Sequence, residues 1–593
     1  MSDENARPLS EVILQGIGVS PGVAVGPAFL LKTDEETYIE RDITDADIAR
    51  EIARFEEALI STRRQIHDIQ KQVSDAIGQD NASIFDAHLL VVDDRSLVEE
   101  VFRGLSTHKK NVETVLRLVA DRYAQALLRV EDDYLRERAA DVKDVTRRIL
   151  RNLSGGTSAS LSQRKDPCIL ITNDLAPSDT ATLDKDKIKA FATDLGSPTS
   201  HTAIMARALE IPAIVGLHDV SVRVSASEQV LIDGNKGVLI INPTRETLER
   251  YGEVEKVRRT IRSGLANLKE EPAETLDGYR VQLSANIELP SDIDAVVANG
   301  ACGVGLFRTE YLYLARQGLP TEDEQVQAYE KVAERLHPDS VVIRTVDLGG
   351  DKFLWQLKSQ PELNPFMGWR AIRFCLAQPD IFKTQLRAIL RASRFDNVKI
   401  MYPMISNVDE VIKANVMLDE CKVELRERGQ TFNEDVEVGV MIEVPSAALT
   451  ANLLAPHSSF FSLGTNDLVQ YTIAVDRVNE RIAYLYEPTH PAIIRLIKNT
   501  IDTGHEHGIW SGICGEMGSN PLMVPLLIGL GVDEFSVSPS AVPIVKDVIR
   551  KIRYSEAELL AQTILSSESA VDVLDRCRRL VERIAPEILE LVS

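Results

Sequence analysis

Eight short apolar runs, each followed by residues of helical texture, occupy the chain from Asp277 onward, and they limit its fold more than any other feature. The runs are 281–285, 303–307, 341–346, 398–402, 438–442, 459–463, 509–513 and 534–537. Strands alternating with helices build parallel βαβ units, because a parallel neighbour needs a long crossover. Eight such units in succession predict a (β/α)8 TIM barrel. Spacing alone also admits an open doubly wound sheet. The polar residues at the ends of the runs favour the barrel, whose chemistry gathers at the C-terminal ends of its strands.

The first half of the chain reads differently. Val12-Ile13-Leu14 and Ala24 to Leu31 are apolar runs punctuated by Gly16, Gly18, Pro21, Gly22, Gly26 and Pro27, the texture of strands and turns. From Thr44 to Leu153 there is no proline, and glycine occurs only at 78 and 104. Ile48, Ile52, Phe55, Leu59, Ile66, Ile69 and Val73 form one helical stripe. A second runs from Val112 to Val130 and a third from Leu135 to Ile149, which together predict an antiparallel helical bundle. Strand texture returns at 168–172, 188–193, 230–233 and 238–242. The expected organisation is therefore multidomain α/β. Residues 1–32 and 155–245 form a small α/β domain into which a bundle, 33–154, is inserted. A charged linker helix spans 246–272, and the barrel occupies 273–593.

Composition excludes several classes of function. With 67 basic against 90 acidic residues the formal charge is -23, which repels a phosphate backbone and argues against nucleic acid as a partner. No run reaches the length of a membrane span, and the N-terminus is polar and acidic with no apolar signal core, so a cytoplasmic location is expected. Six scattered cysteines with no CxxC pair suggest reduced thiols.

The strand ends are where chemistry is expected. Strand one ends at Asn286, strand two runs into Arg308-Thr309-Glu310, and strand three holds Arg344 and Asp347. Strand five ends at Glu443, strand six at Thr465-Asn466-Asp467 with Arg477 beyond it, and strand seven at Cys514-Gly515-Glu516. One polar residue at a strand end is ordinary turn chemistry. Three arginines, two carboxylates and an asparagine on one rim are not. Arginines hold phosphate and carboxylate through charge-assisted forks. Glu443 and Asp467 suit Mg²⁺, which takes one or two carboxylates plus substrate phosphate oxygens. Cys514 can be a small buried hydrophobe or a neutral thiol that gives a proton to an enolate carbon. In the smaller domain, Thr199 or Ser200 can cap a helix that begins at His201. A helix N-terminus favours phosphate, and histidine can carry a covalent phosphoryl group.

These segments, in this order, resemble the enzyme I family of phosphoenolpyruvate-protein phosphotransferases of the sugar phosphotransferase system. The resemblance is carried by Gly16 to Gly22, Thr199 to Arg207, Gly303 to Glu310, Asn364 to Arg373, Glu443 to Ala447, Gly464 to Leu468 and Cys514 to Glu516. It implies that His201 is the phosphorylated residue and Cys514 the proton donor. It further implies that Arg308, Arg344, Asn466, Asp467 and Arg477, with Arg370 as an additional contact, bind phosphoenolpyruvate. Glu443 and Asp467 would hold Mg²⁺. The bundle would dock a small phosphocarrier protein, itself phosphorylated on histidine, and the barrel would form a homodimer. The histidine domain would swivel between the two, with Pro243-Thr244 as its hinge. The family commonly has a second glycine and often a basic residue before Thr-Ser-His, where this chain has Ser197-Pro198, so a stiffer loop is expected.

Three alternatives compete. The pyruvate-phosphate dikinases and phosphoenolpyruvate synthases share the histidine domain and barrel but need a large ATP-binding domain ahead of the histidine. No GxxxxGK[ST] loop precedes His201. A regulatory phosphorelay paralogue would use the same residues as a signal. A binding protein with a dead barrel would not need Arg308, Arg344, Glu443, Asp467 and Cys514 together.

Overall fold

The computed structural model describes residues 11–31, 40–77, 84–128, 133–154, 167–175, 180, 183, 187–196, 201–209, 211–252, 264–265, 267–314, 318–349, 364–477, 479 and 482–592. The chain divides into two compact units between residues 256 and 257.

The N-terminal unit is built on one eight-stranded sheet. Its strands are β1 (Val12–Gln15), β2 (Ile17–Ser20), β3 (Val23–Leu30), β4 (Cys168–Thr172), β5 (Ile188–Thr193), β6 (Ala213–Val215), β7 (Gln229–Asp233) and β8 (Val238–Ile241). They lie in the order β1-β8-β7-β3-β4-β5-β6-β2. The stretch β3-β4-β5-β6 is parallel and the rest antiparallel. Every residue of β4 is buried, as a central strand covered on both faces requires. The glycines near the start allow close backbone contact. A Cβ on Gly18 would lie 2.1 Å from the carbonyl oxygen of Gly234, so no side chain fits there.

Among the described residues, five helices come between β3 and β4: α1 (Ile48–Ile77), α2 (Ile84–Val92), α3 (Arg95–His108), α4 (Val112–Leu128) and α5 (Asp133–Leu153). Phe55, Phe85, Val101, Leu105, Val115 and Leu116 are fully buried in their shared core. Asp94 caps α3, accepting from the N–H groups of Ser96 at 2.8 Å and Leu97 at 3.3 Å. The charged segment after β8 is helical over 245–252, and the Thr244 N–H donates to Glu11 Oε2 at 2.6 Å, tying Pro243-Thr244 to the start of β1.

The C-terminal unit is a closed barrel of eight parallel strands. They are β9 (Gln282–Ile287), β10 (Val304–Phe307), β11 (Val341–Arg344), β12 (Val398–Tyr402), β13 (Val438–Ile442), β14 (Phe460–Leu463), β15 (Trp510–Ile513) and β16 (Glu534–Val537). All eight coincide with the apolar runs, and β16 pairs with β9 to close the ring, Glu534 opposite Gln282 and Val537 opposite Ala285. The barrel axis is filled by Leu306, Val342, Met401, Met441, Phe460 and Cys514. Phe460 stacks on Trp510 at 4.4 Å, with the Lys399 ammonium 4.9 Å from the indole centroid. Two of the long barrel helices begin on strong caps: Thr321 with Glu324, and Asn407 with Glu410, each form a reciprocal capping box. All six cysteines are free thiols. Among the described residues no helix is long and apolar enough to cross a membrane.

Candidate active site

The strand ends of the barrel open into a cavity of about 410 Å³. Among the described residues four arginines line it, Arg308, Arg344, Arg370 and Arg477, with five carboxylates: Glu288, Glu310, Asp347, Glu443 and Asp467. Asn466 and Cys514 complete the polar lining. The cavity thus gathers every barrel residue singled out from the sequence for substrate, metal or proton transfer.

Each residue is placed by the end of a strand. Arg308 follows β10 and Arg344 ends β11. Glu443 follows β13 and Cys514 follows β15. After β14 the chain turns at Gly464 directly into α6 (Thr465–Ile473), whose first turn presents Asn466 and Asp467. This turn needs a glycine. A Cβ on Gly464 would lie 2.8 Å from Glu443 Oε2.

Two arginines sit deep. Arg344 Nη2 donates to Glu310 Oε1 at 3.0 Å, and its Nη1 lies 3.1 Å from Asp347 Oδ2. Arg370 Nε and Nη2 donate to Asp347 Oδ1 at 2.9 and 2.8 Å. Burial works against both arginine charges, yet the neighbouring carboxylates outweigh it, Glu310 and Asp347 for Arg344, Asp347 and Asp467 for Arg370. Both guanidinium groups therefore stay charged. Arg344 Nε is buried and has no hydrogen-bond partner among the described residues. A buried donor without an acceptor carries a large desolvation cost, and an anion in the cavity would remove it.

The carboxylates show the opposite imbalance. Glu443 is fully buried, and burial, with Asp467 and Asp347 nearby, pushes its pKa up to about 8. Its Oε1 accepts the Met404 N–H at 2.6 Å. Met404 holds a left-handed φ of 58°, uncommon for a side chain of its size, and this turns the N–H towards the carboxylate. Cys514 is 3 % exposed. Burial raises its thiol pKa to about 11, so the proton stays on sulfur at neutral pH. Its backbone carbonyl accepts from Asn286 Nδ2 at 3.1 Å, which fixes the strand end.

Sequence reading missed Glu288 and the Met404 amide, and it gave no role to Glu310 or Asp347. Glu310 and Asp347 were visible as acids one to three residues from a chosen arginine. Glu288 stands two residues beyond Asn286. Met404 carried no signal, because its contribution is a backbone conformation.

In the N-terminal unit, β5 leads to α7 (His201–Ala208), of which His201 is the first residue. Residues 197–200, with Ser197-Pro198 and both candidate caps, lie outside the described residues. Thr202 Oγ1 donates to the Leu175 carbonyl at 2.6 Å, and Ser20 Oγ to the Ala206 carbonyl at 3.2 Å. Ala203 and Ala206 enter the sheet core, whereas Met205 enters the core of the helical bundle.

Three family matches cover most of the chain: PEP-utilising enzyme, N-terminal, over 15–138; PEP-utilising enzyme, mobile domain, over 164–237; and PEP-utilising enzyme, PEP-binding domain, over 262–554. The phosphoenolpyruvate-protein phosphotransferase of Bacillus sp. (strain S) is 43% identical over 96% of this chain and 98% of its own. This chain belongs to the phosphoenolpyruvate-protein phosphotransferase family. The relative from Haemophilus influenzae is 42% identical over 95% of this chain and 98% of its own. A solution structure of an Enzyme I protein is 39% identical over 42% of this chain and 99% of that one, with a TM-score of 0.37. In this family setting, the barrel cavity lies inside the segment matched as PEP-binding and His201 inside the segment matched as mobile.

Proposed function

We infer that this chain is a phosphoenolpyruvate-protein phosphotransferase, which takes the phosphoryl group of phosphoenolpyruvate onto His201, releases pyruvate, and passes the phosphoryl group to a histidine of a small carrier protein as the first step of sugar phosphotransferase uptake. The observation that carries this reading is the charge pattern of the cavity. Four arginines face five carboxylates, and one buried guanidinium N–H lacks an acceptor. Such a site suits a small ligand bearing phosphate and carboxylate together. Membership of the family supports the same substrate.

The arginines would bind and orient. Arg344 and Arg370 stand on fixed carboxylate partners, so their forks are preorganised against a phosphoryl group. Arg308, Arg477 and Asn466 would take the remaining oxygens. The donor chemistry also fits a divalent cation. Among the described residues the lining carries more acid than base before a polyanionic ligand enters, and Glu443 is held above the ordinary carboxylate range by burial and its acidic neighbours. Among the described residues no three metal-ligating side chains stand together, so Glu443 and Asp467 would leave most positions to substrate oxygens and water. Mg²⁺ held there would supply positive charge against the phosphoryl oxygens.

His201 acts as nucleophile in its neutral form, Nε2 attacking phosphorus as the bond to the enolate oxygen breaks. Cys514 then gives its thiol proton to the enolate carbon, and pyruvate leaves. The thiol pKa of about 11 keeps that proton available at neutral pH. In the second half-reaction the phosphoryl group moves from His201 to the carrier. The division of labour proposed with this is histidine transfer by 1–32 with 155–245, carrier docking by 33–154, linkage by 246–272, and substrate binding and homodimerisation by 273–593.

Incubation of the purified protein with phosphoenolpyruvate and Mg²⁺, with and without His201→Ala, tests the reading. The expected result is one acid-labile phosphate on His201, matched by pyruvate. A wild-type protein that takes up no phosphate would overturn it.

A further inference from the structure

The arginine–carboxylate pairs of the cavity are of two kinds. The inner pairs are buried: the Arg344 and Arg370 side chains are 11% and 13% exposed, and Asp347 between them is 3% exposed. The outer pairs stand in solvent. Arg308 pairs with Glu288, whose side chain is 66% exposed, and Arg477 with Glu516, whose side chain is 81% exposed. Both outer carboxylates rise from anchored backbone. The Glu288 N–H donates to Asp292 Oδ2 at 3.0 Å, and the Glu516 N–H to Asn466 Oδ1 at 2.9 Å. Only their side chains can move without breaking the strand ends. Glu516 Oε1 gathers two donors of the cavity, Asn466 Nδ2 at 3.0 Å and Arg477 Nη1 at 3.4 Å.

We infer that Glu288 and Glu516 are built-in anion surrogates that hold Arg308 and Arg477 between turnovers and compete with an incoming anionic ligand for them, most strongly with one whose two anionic groups take both arginines. The inference rests on the proposed phosphotransferase reading. An exposed ion pair contributes little to stability, so an incoming anion displaces it at small cost. A buried pair is costly to break and keeps its geometry. A ligand bearing both phosphate and carboxylate can take Arg308 and Arg477 together, displacing both glutamates. Pyruvate bears one carboxylate and can take one of them. The other glutamate stays on its arginine, so pyruvate displaces one surrogate where the substrate displaces two. Glu288 and Glu516 thus restrain the binding of the substrate more than that of the product, without needing to touch the reacting atoms.

The full-length double variant Glu288→Gln/Glu516→Gln tests this. Glutamine keeps an acceptor for Asn466 Nδ2 but brings no charge. The expected result is a fall in KM for phosphoenolpyruvate of about two- to thirtyfold, the range two exposed pairs allow. The inhibition constant of pyruvate should fall by no more than about fivefold, the range of one pair. A KM that is unchanged overturns the inference. So does a KM that rises, since that marks a supporting role for the glutamates rather than competition. Phosphate on His201 of the wild-type protein is measured first. Its absence refutes the phosphotransferase reading and this inference with it, whereas an active wild type with an unmoved KM in the variant refutes the inference alone.

Discussion

At the scale of single residues, opposite protonation needs meet in one cavity. In the proposed mechanism Cys514 must keep a proton, and Glu443 must lose one to hold a cation. Burial favours the neutral form of both, which helps the thiol and hinders the carboxylate. Replacing Cys514 by Ala should lower pyruvate release by about 10²- to 10⁴-fold, the usual share of a general acid. Steady-state assays with phosphoenolpyruvate check this, and an unchanged rate removes the thiol from the mechanism. For Glu443 the sign follows from proton counting. Its folded pKa of about 8 lies above the ordinary value of 4.5, so between those limits the folded state binds more protons than the unfolded one. Its contribution to stability is therefore present below about pH 4.5 and is lost as pH rises through about 8. Without divalent cations, barrel stability should fall over this window with a slope on the order of 1 kcal/mol per pH unit. Glu443→Gln should flatten that slope in urea unfolding at several pH values. Arg308 and Arg344 were legible in the sequence because a charged residue at the end of an apolar run is conspicuous, whereas Arg370 was singled out only by the family resemblance. Their counter-charges were not, because which acid faces which arginine is fixed only when distant strand ends meet, as Glu310 meets Arg344.

At the scale of elements, strands were more legible than helices. Each barrel strand falls on a short, largely apolar run, a pattern set by burial on both faces. In the bundle, the long stripes of α1, α4 and α5 stood out, whereas α3 (Arg95–His108) did not. It buries Leu97, Val101, Gly104 and Leu105 over only 14 residues. The strand-to-helix turn at Gly464 is sensitive to a single change. Gly464→Ala places a methyl group 2.8 Å from Glu443 Oε2, and the expected outcome is a weakened response to Mg²⁺ with the barrel still folded. Titration of Mg²⁺ against phosphoenolpyruvate turnover, beside a circular dichroism spectrum, separates the two effects. An unaltered Mg²⁺ requirement would show that the turn has room to relax.

At the scale of the whole molecule, all three tryptophans, at 355, 369 and 510, belong to the C-terminal half of the sequence. Indole fluorescence therefore reports one of the two compact units, while far-ultraviolet circular dichroism reports both. Gly18→Ala forces a side chain against the Gly234 carbonyl and should destabilise the N-terminal unit by about 1–3 kcal/mol. In urea the dichroism transition should move to lower denaturant and the tryptophan transition should not. A shift of both would mean that the units unfold together. The helix beginning at His201 has a different consequence. It lends Ala203 and Ala206 to the sheet core and Met205 to the bundle core. The segment that begins at His201 is therefore held in common by two layers, and neither layer owns it. An engineer wishing to graft this histidine helix onto another protein could not lift it out with the sheet alone. The transplant would have to carry the bundle along, or find a new apolar seat for one methionine.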